Sequence, residues 1–412
     1  MEPRIQSAAG AKSVEMILKR NIGFYAVIFL PSALFLVANL SSLAIGAALA
    51  ALLAIAVSLP VKSESLNIYK SDLILLLFCA GIIIDHLIFA DIVFSVSLWK
   101  AMTSLVLLFI LFFGAVALSI SFFGSSSKNV NTVCWSVFFL MGFILLVSIS
   151  NIYPSNIFGV NKAVFPFSEP SHFALTFLPF LMFACVTSNG WRRYLILFAS
   201  VILAYLVQNL TMMVGCFIVF LVCVRLAFFP FLIVVIFIAG STLDLSYFVE
   251  RLDFTGENTN LSTLVYLQGW ELVKESMQLT NYWGFGFQQL GLQPTSVPTA
   301  EAIYRLSGGD LNQNDGSFLL AKVVSEFGIL GMIIIGGISL FIGKVAVRLR
   351  AIANGLYSAP AYTFSCCVIV TFVLEIYVRG TGYYSGTMIL FLTSIHYYFG
   401  YNKIGRLMGV IG

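Results

Sequence analysis

Long uninterrupted hydrophobic runs recur along the chain from residue 23 to residue 400 and indicate its fold class. About 20 apolar residues of α-helix cross a hydrocarbon core of about 30 Å, whereas the strands of a membrane β-barrel alternate over shorter segments. The pattern predicts an all-α polytopic membrane protein with about twelve spans, or ten to twelve because two pairs of runs abut. The predicted spans are 23–39, 42–60, 72–90, 97–121, 132–152, 172–188, 194–209, 211–225, 227–243, 317–343, 361–378 and 383–400.

One long polar segment divides the chain into three parts. Residues 1–243 hold predicted spans one to nine, residues 244–316 form the polar loop, and residues 317–412 hold spans ten to twelve and a tail. A loop of about 70 residues is too long for a passive connector. Within it, residues 261–279 place apolar side chains on one face and charges on the other, which predicts an amphipathic helix lying on the membrane surface.

The distribution of charge predicts how the chain is oriented. Only 10% of the 412 residues are charged, and the net charge of +4 gives no reason to expect a nucleic-acid partner. Most of the 22 basic residues fall on one side if both termini are cytoplasmic, as the positive-inside rule requires. The long loop then faces outward. The basic residues left on the outer side are Lys100, Lys162, Arg251, Lys274, Arg305, Lys322 and Arg379.

The cysteine pattern gives no indication of a metal site or of disulfide bonds in the loop. All seven cysteines lie in or beside apolar runs, and the long loop contains none. The sequence has no Cys-x-x-Cys, no Cys/His cluster and no Asp-x-Asp. We therefore expect neither a metal nor a cofactor.

The segment SEPSH, which begins at Ser168, places polar groups at the start of an apolar run. Ser168 or Ser171 can cap a helix there, and Pro170 suits its first position. The carboxylate of Glu169 is favoured at the positive end of such a helix. Titratable groups beside a membrane span usually mark a site, so Glu169 and His172 are candidate catalytic residues.

Two further motifs follow in a fixed order. The loop segment "GFGFQQLG" contains a Gly-x-Gly turn at Gly284 and Gly286, and the helix after the loop carries Glu326, Gly328 and Gly331 in the spacing Glu-x-Gly-x-x-Gly. Together with "SEPSHFAL", these motifs resemble the O-antigen polymerase and ligase superfamily of bacterial envelopes. The similarity is to its polymerase branch, the Wzy-type proteins.

The resemblance implies a fold, a reaction and a location. The fold is that of a GT-C-like glycosyltransferase in the bacterial inner membrane, with its active site facing the periplasm. The substrates are two undecaprenyl-diphosphate-linked glycans. A sugar hydroxyl of one attacks the anomeric carbon of the other, and undecaprenyl diphosphate leaves. The resemblance also implies a possible membrane partner, a Wzz-type chain-length regulator.

A diphosphate leaving group needs positive charge, and arginine pairs best with phosphate oxygens. The candidates on the outer side are Arg251, Arg305 and Arg379. Arg305 precedes Gly316 in a spacing similar to an arginine–glycine pattern of the family. Each arginine has a structural alternative as an interface residue or ion-pair partner, and Arg379 could pair with Glu375 one turn earlier.

The attacking hydroxyl needs a base, for which Glu169, His172 and Asp315 are the candidates. The ligase branch has a His-Asn pair before the helix that follows the loop. Here that position reads Asn314-Asp315, and the missing histidine argues against a ligase. A flippase or secondary transporter is a further alternative. The long loop and the polar groups gathered on the outer side argue against it.

Overall fold

The computed structural model describes residues 2–38, 40, 42–58, 66–93, 95–150, 164–224, 244–253, 260–292, 297–307 and 316–407. The regular elements in these ranges are helices, apart from one isolated β-bridge between Val164 and Phe167. We number them α1 Glu2–Val37, α2 Leu43–Ser58, α3 Leu66–Val93, α4 Leu98–Leu118 with a π-helical turn at Ser119–Phe123, α5 Ser127–Ile149, α6 Pro170–Thr187, α7 Trp191–Leu206, α8 Leu210–Cys223, α9 Ser246–Arg251, α10 Leu261–Leu279, α11 Pro298–Ser307, α12 Leu319–Ala353, α13 Pro360–Thr371, α14 Val373–Tyr377 and α15 Gly386–Leu407.

The lengths and apolar surfaces of these helices are those of a polytopic membrane protein. Seven helical segments in the described part are long and apolar enough to cross a bilayer, and α2 and α8 are shorter apolar helices. The all-α prediction is therefore confirmed. The predicted ninth span, 227–243, lies outside the described residues. The seven segments are Leu18–Val37, Ser71–Ile92, Leu98–Phe123, Ser127–Ile149, Pro170–Thr187, Leu319–Ala353 and Pro360–Tyr377.

Contacts between helix ends define one end of the bundle, which we call the loop end. The side-chain amide of Asn209, before α8, donates to the carbonyl oxygen of Pro170 at the start of α6 over 2.6 Å. The N–H of Ser97, before α4, donates to Oε1 of Gln289 in the polar loop over 2.9 Å. The starts of α6 and α8 therefore lie together, and the start of α4 lies against the loop.

At the opposite end, Arg193 joins the ends of several helices. The guanidinium of Arg193, in α7, donates to the carbonyl oxygens of Cys185 at 2.8 Å, Ser188 at 3.1 Å, Cys223 at 3.0 Å and Ala353 at 2.8 Å. These carbonyls belong to the C-terminal ends of α6, α8 and α12, where helices carry unpaired acceptors and partial negative charge. Arg193 therefore joins three helix ends, and we call this the arginine end.

The amphipathic helix predicted over 261–279 is confirmed as α10, which spans Leu261–Leu279. Its position on the membrane surface stays a prediction. Leu272 packs with Phe285 and Leu290 of the loop, and Leu264 packs with Ile303 of α11. Because the loop folds back over it, the helix buries its apolar face inside the protein.

We expect Arg193→Ala to destabilise the protein, because several buried carbonyls then lose a charged donor. At about 1.5–3 kcal/mol for each hydrogen bond to a charged group, partly offset by relaxation, a loss of about 3 kcal/mol is expected. Arg192→Ala is the matched control, since Arg192 is the exposed neighbour. Thermal unfolding in detergent measures both variants. Equal midpoints for the two would contradict the role given to Arg193.

Candidate active site

The site begins at the start of α6. Glu169 is the N-cap residue, with extended backbone at φ −129° and ψ 143°, and Pro170 opens the helix as predicted. The predicted capping by Ser168 or Ser171 is wrong, because Glu169 holds the cap position. The hydroxyl of Ser171 instead donates to Oε2 of Glu169 over 2.9 Å. Ser171 therefore helps to fix the carboxylate at the loop end.

Arg379, just after α14, binds this carboxylate. Its Nη2 donates to Oε2 of Glu169 over 2.9 Å, and the two residues are 210 positions apart in the chain. The alternative pairing of Arg379 with Glu375 is not the observed one. Nε2 of His172 lies 3.9 Å from the same Glu169 oxygen. Three of the sequence-predicted site residues thus meet at one place.

The charge on Glu169 follows from its neighbours. Burial raises the pKa of this carboxyl group, but the charges of Arg379 and His172, with hydrogen bonds from Ser171 and Arg379, lower it more, to about 2. The group is therefore ionised at any physiological pH and is a weak base. Its position indicates a counter-ion that holds Arg379 rather than a proton acceptor.

A cleft adjoins this cluster, between α1, α2, α6 and α15. His172 and Thr176 line it from α6, and Thr381, Ser385 and Thr387 line it from the segment around the start of α15. Its other walls are mostly apolar. An imidazole and several hydroxyl groups can donate to and accept from the hydroxyl groups of a sugar. The arrangement places several hydrogen-bonding groups close to an ion-paired arginine.

The other predicted arginines have different partners. The guanidinium of Arg251 lies over the ring of Tyr247, 4.4 Å from its centroid. Arg305 is exposed on α11 and pairs with Glu301 one turn earlier. Arg251 lies on α9 and Arg305 lies on α11. The third predicted acid–base residue, Asp315, lies outside the described residues.

The two glycine motifs of the sequence meet at a break in α12. Gly328 has φ 55° and ψ −131°, which interrupts the helix. The carbonyl oxygens of Ser325 and Glu326 accept hydrogen bonds from the N–H groups of Phe285 at 3.0 Å and Gly286 at 2.8 Å. The loop therefore satisfies backbone groups that the break leaves unpaired. Sequence motifs about 40 residues apart form one unit.

A buried ion pair lies beside this break and was not predicted. Nζ of Lys322 lies 3.2 Å from Oε1 of Glu326, and both side chains are almost completely buried. The hydroxyl of Tyr383 donates to Oε2 of Glu326 over 2.8 Å. Tyr383 follows Arg379 and Thr381 closely, so its bond to Glu326 holds the site segment against α12. The i, i+4 spacing of Lys322 and Glu326 in the sequence could have predicted this ion pair.

Comparisons of the chain with protein-family models, with curated protein sequences and with solved structures find no match. Within the described ranges, no group of three or more His, Cys, Asp or Glu residues is arranged to hold a metal ion. Fold and site together define a helical membrane protein with an anchored arginine and a hydroxyl-lined cleft at its loop end.

Gly328→Ala tests the junction between loop and helix. A Cβ at this position would lie 2.0 Å from the carbonyl oxygen of Tyr282, in a left-handed conformation. We expect a loss of about 2 kcal/mol or more in the free energy of unfolding. Gly336→Ala in the same helix is the control, since a Cβ there meets nothing within 4 Å. If both variants unfold at the same temperature in detergent, the junction is not as described.

The ion pair of Glu169 predicts a pH dependence of stability. Because its pKa is lowered from 4.5 to about 2, its contribution is complete above pH 4.5 and is lost as the pH falls towards 2. Glu169→Gln should lower stability at pH 7 by at most about 1 kcal/mol, because the side chain is 44% exposed and solvent screens the pair. The difference from wild type in thermal unfolding should shrink between pH 4.5 and 2. A difference that stays constant over that range would refute this.

Proposed function

We propose that this protein is an O-antigen polymerase. It joins undecaprenyl-diphosphate-linked repeat units at the periplasmic face of the bacterial inner membrane. The motifs that resemble the Wzy-type family give the reaction. The observation that carries the proposal is Arg379, held by Glu169 beside a hydroxyl-lined cleft. In this proposal the chain has about twelve spans in a GT-C-like arrangement.

Arg379 is proposed to bind the diphosphate of the glycan donor. A guanidinium has five N–H donors in a planar fork that matches phosphate oxygens and stays charged at every relevant pH. One nitrogen of Arg379 is used by Glu169, while its Nε is buried without a hydrogen-bond partner among the described residues. A buried donor of this kind is costly unless a ligand supplies an acceptor. The negative charge that develops on the leaving diphosphate would be stabilised there.

The sugars are proposed to lie in the adjoining cleft. The oxygen of the acceptor's hydroxyl group forms a bond to the anomeric carbon of the donor. The bond from that carbon to the diphosphate oxygen breaks, and undecaprenyl diphosphate leaves with the electron pair. His172 and the hydroxyl groups of Thr176 and Ser385 line the cleft and would orient the sugars by hydrogen bonds. The proton of the attacking hydroxyl passes to a base.

The two ends of the bundle support the proposed orientation. The loop end carries Glu169, His172 and Arg379, which the charge pattern places outside. The arginine end carries Arg193, which the same pattern places in the cytoplasm. In the proposal the loop end faces the periplasm, where lipid-linked glycans meet, and both termini are cytoplasmic. A Wzz-type chain-length regulator is the partner that the resemblance implies.

Arg379→Ala should reduce polymer formation at least about 100-fold, as expected when a group that stabilises a leaving anion is removed. Arg379→Lys should restore it only in part, because a point charge cannot pair two oxygens at once. Lys274→Ala removes an exposed positive charge from α10 and is the matched control. The readout is a gel of surface and lipid-linked glycan from cells that carry each variant.

The same gel separates the alternatives when the gene is deleted. If the protein is a polymerase, its deletion leaves single repeat units attached to the lipid core. If it is a ligase, its deletion leaves polymer accumulating on undecaprenyl diphosphate. Deletion that changes neither glycan pool would overturn the proposal, as would normal polymer from a stably inserted Arg379→Ala variant.

A further inference from the structure

Glu375, in α14, is a buried carboxylate that the proposed reaction has not used. Its side chain is 2% exposed. Oε1 accepts hydrogen bonds from the hydroxyl of Thr381 at 3.4 Å and from that of Thr387. Oε2 is buried and has no hydrogen-bond partner within the described part of the chain. The arginine one turn later, Arg379, turns to Glu169 instead.

Among the described residues that line the cavity around Glu375, none carries a positive charge. Glu375 lines this small cavity, whose other walls come from α6, α13 and α15. The polar side chains among these walls are Thr371 and Thr387, and none of the described wall residues is basic or titratable. Burying an ionised carboxylate without a cation is costly, and ionisable groups kept within a membrane bundle are usually functional.

The cavity adjoins the cleft of the candidate active site. Thr387 and Leu175 line both. In the cleft, the hydroxyl of Thr387 lies 2.9 Å from that of Ser385, and it also donates to Glu375. A row of hydroxyl groups therefore leads from the cleft to the carboxylate. The titratable groups on the cleft side are His172, which lines it, and Glu169 and Arg379 beside it.

On the basis of the proposed function, we infer that Glu375 receives the proton of the attacking sugar hydroxyl through Thr387. The sugar O–H bond breaks as its oxygen bonds to the anomeric carbon, and the proton passes to Oγ1 of Thr387. The proton that Thr387 carried passes to the Glu375 carboxylate. The electron pair of the broken donor bond leaves with undecaprenyl diphosphate. Glu375 returns its proton to solvent before the next cycle.

Two features favour Glu375 over the predicted bases. Glu169 is bound to Arg379 and its lowered pKa makes it a weak proton acceptor. Glu375 has an oxygen without a hydrogen-bond partner among the described residues and two hydroxyl donors, and it is more buried than Arg379, which would hold the diphosphate. The reaction thus has separate places for the leaving anion and for the proton. His172 is the competing proton acceptor, and the experiment includes a variant of it.

The test uses the full-length protein in liposomes, with undecaprenyl-diphosphate-linked repeat units as substrate, and measures polymer formation from pH 5 to 9. We expect Glu375→Gln to reduce the rate at least about 100-fold, within the range for loss of a general base. Glu375→Asp should retain part of the rate and shift the pH profile. Thr387→Val should lose most of the rate, and Thr387→Ser, which keeps a hydroxyl group, should restore part of it.

Thr393→Val is the matched control, since Thr393 is buried in the same helix and its hydroxyl donates only to the backbone of Ile389 among the described contacts. It should keep the wild-type rate. The inference is overturned if Glu375→Gln keeps the wild-type rate and pH profile, or if His172→Gln alone removes the pH dependence. A wild-type protein that forms no polymer from the same substrate would instead refute the proposed function.

A measurement on the wild-type protein covers the case in which Glu375→Gln does not fold. A hydrophobic carbodiimide reacts with protonated carboxyl groups buried in membranes. We expect it to modify Glu375, as located by mass spectrometry, in step with the loss of polymer formation. Substrate should slow both. Inactivation without modification of Glu375, or modification without inactivation, would refute the inference.

Discussion

A backbone carbonyl in an apolar bundle must find a donor, and this requirement shapes both ends of the protein. At the arginine end, one guanidinium supplies donors to the C-terminal carbonyls of three helices. At the loop end, the break at Gly328 exposes carbonyls that the N–H groups of Phe285 and Gly286 satisfy. Both solutions join segments that are distant in sequence. The positions of the site residues depend on these two junctions.

The hydrophobic pattern predicts much of the fold, because helix length and helix starts are local properties. The bounds of α10 and the opening of α6 at Pro170 agree with what the sequence indicates. The ion-pair partner of Arg379 could not be predicted from local sequence. Glu375 lies at helical spacing from it and is the better local partner, but the fold brings Glu169 closer from 210 residues away. The packing of α10 was not readable from its periodicity either, since a folded loop can cover an apolar face as well as lipid can.

The site contains two carboxylates in opposite surroundings. Glu169 is partly exposed and bound to a cation, so it serves to position charge. Glu375 is buried among hydroxyl and apolar groups, so it is suited to exchange a proton. Enzymes that perform acid–base chemistry commonly separate these roles by environment rather than by residue type. In the reaction proposed here, the diphosphate and the proton leave the reacting atoms on different sides.

The Lys322–Glu326 pair limits which substitutions this sequence can accept during evolution. Removing either partner alone leaves a charge stranded in the interior, whereas exchanging both for apolar residues of similar volume is often tolerated. The two positions are therefore coupled, and their substitutions are not additive. Among natural variants they should be replaced together, with position 383 following when the carboxylate is lost. Such covariation would reveal this contact from sequences alone.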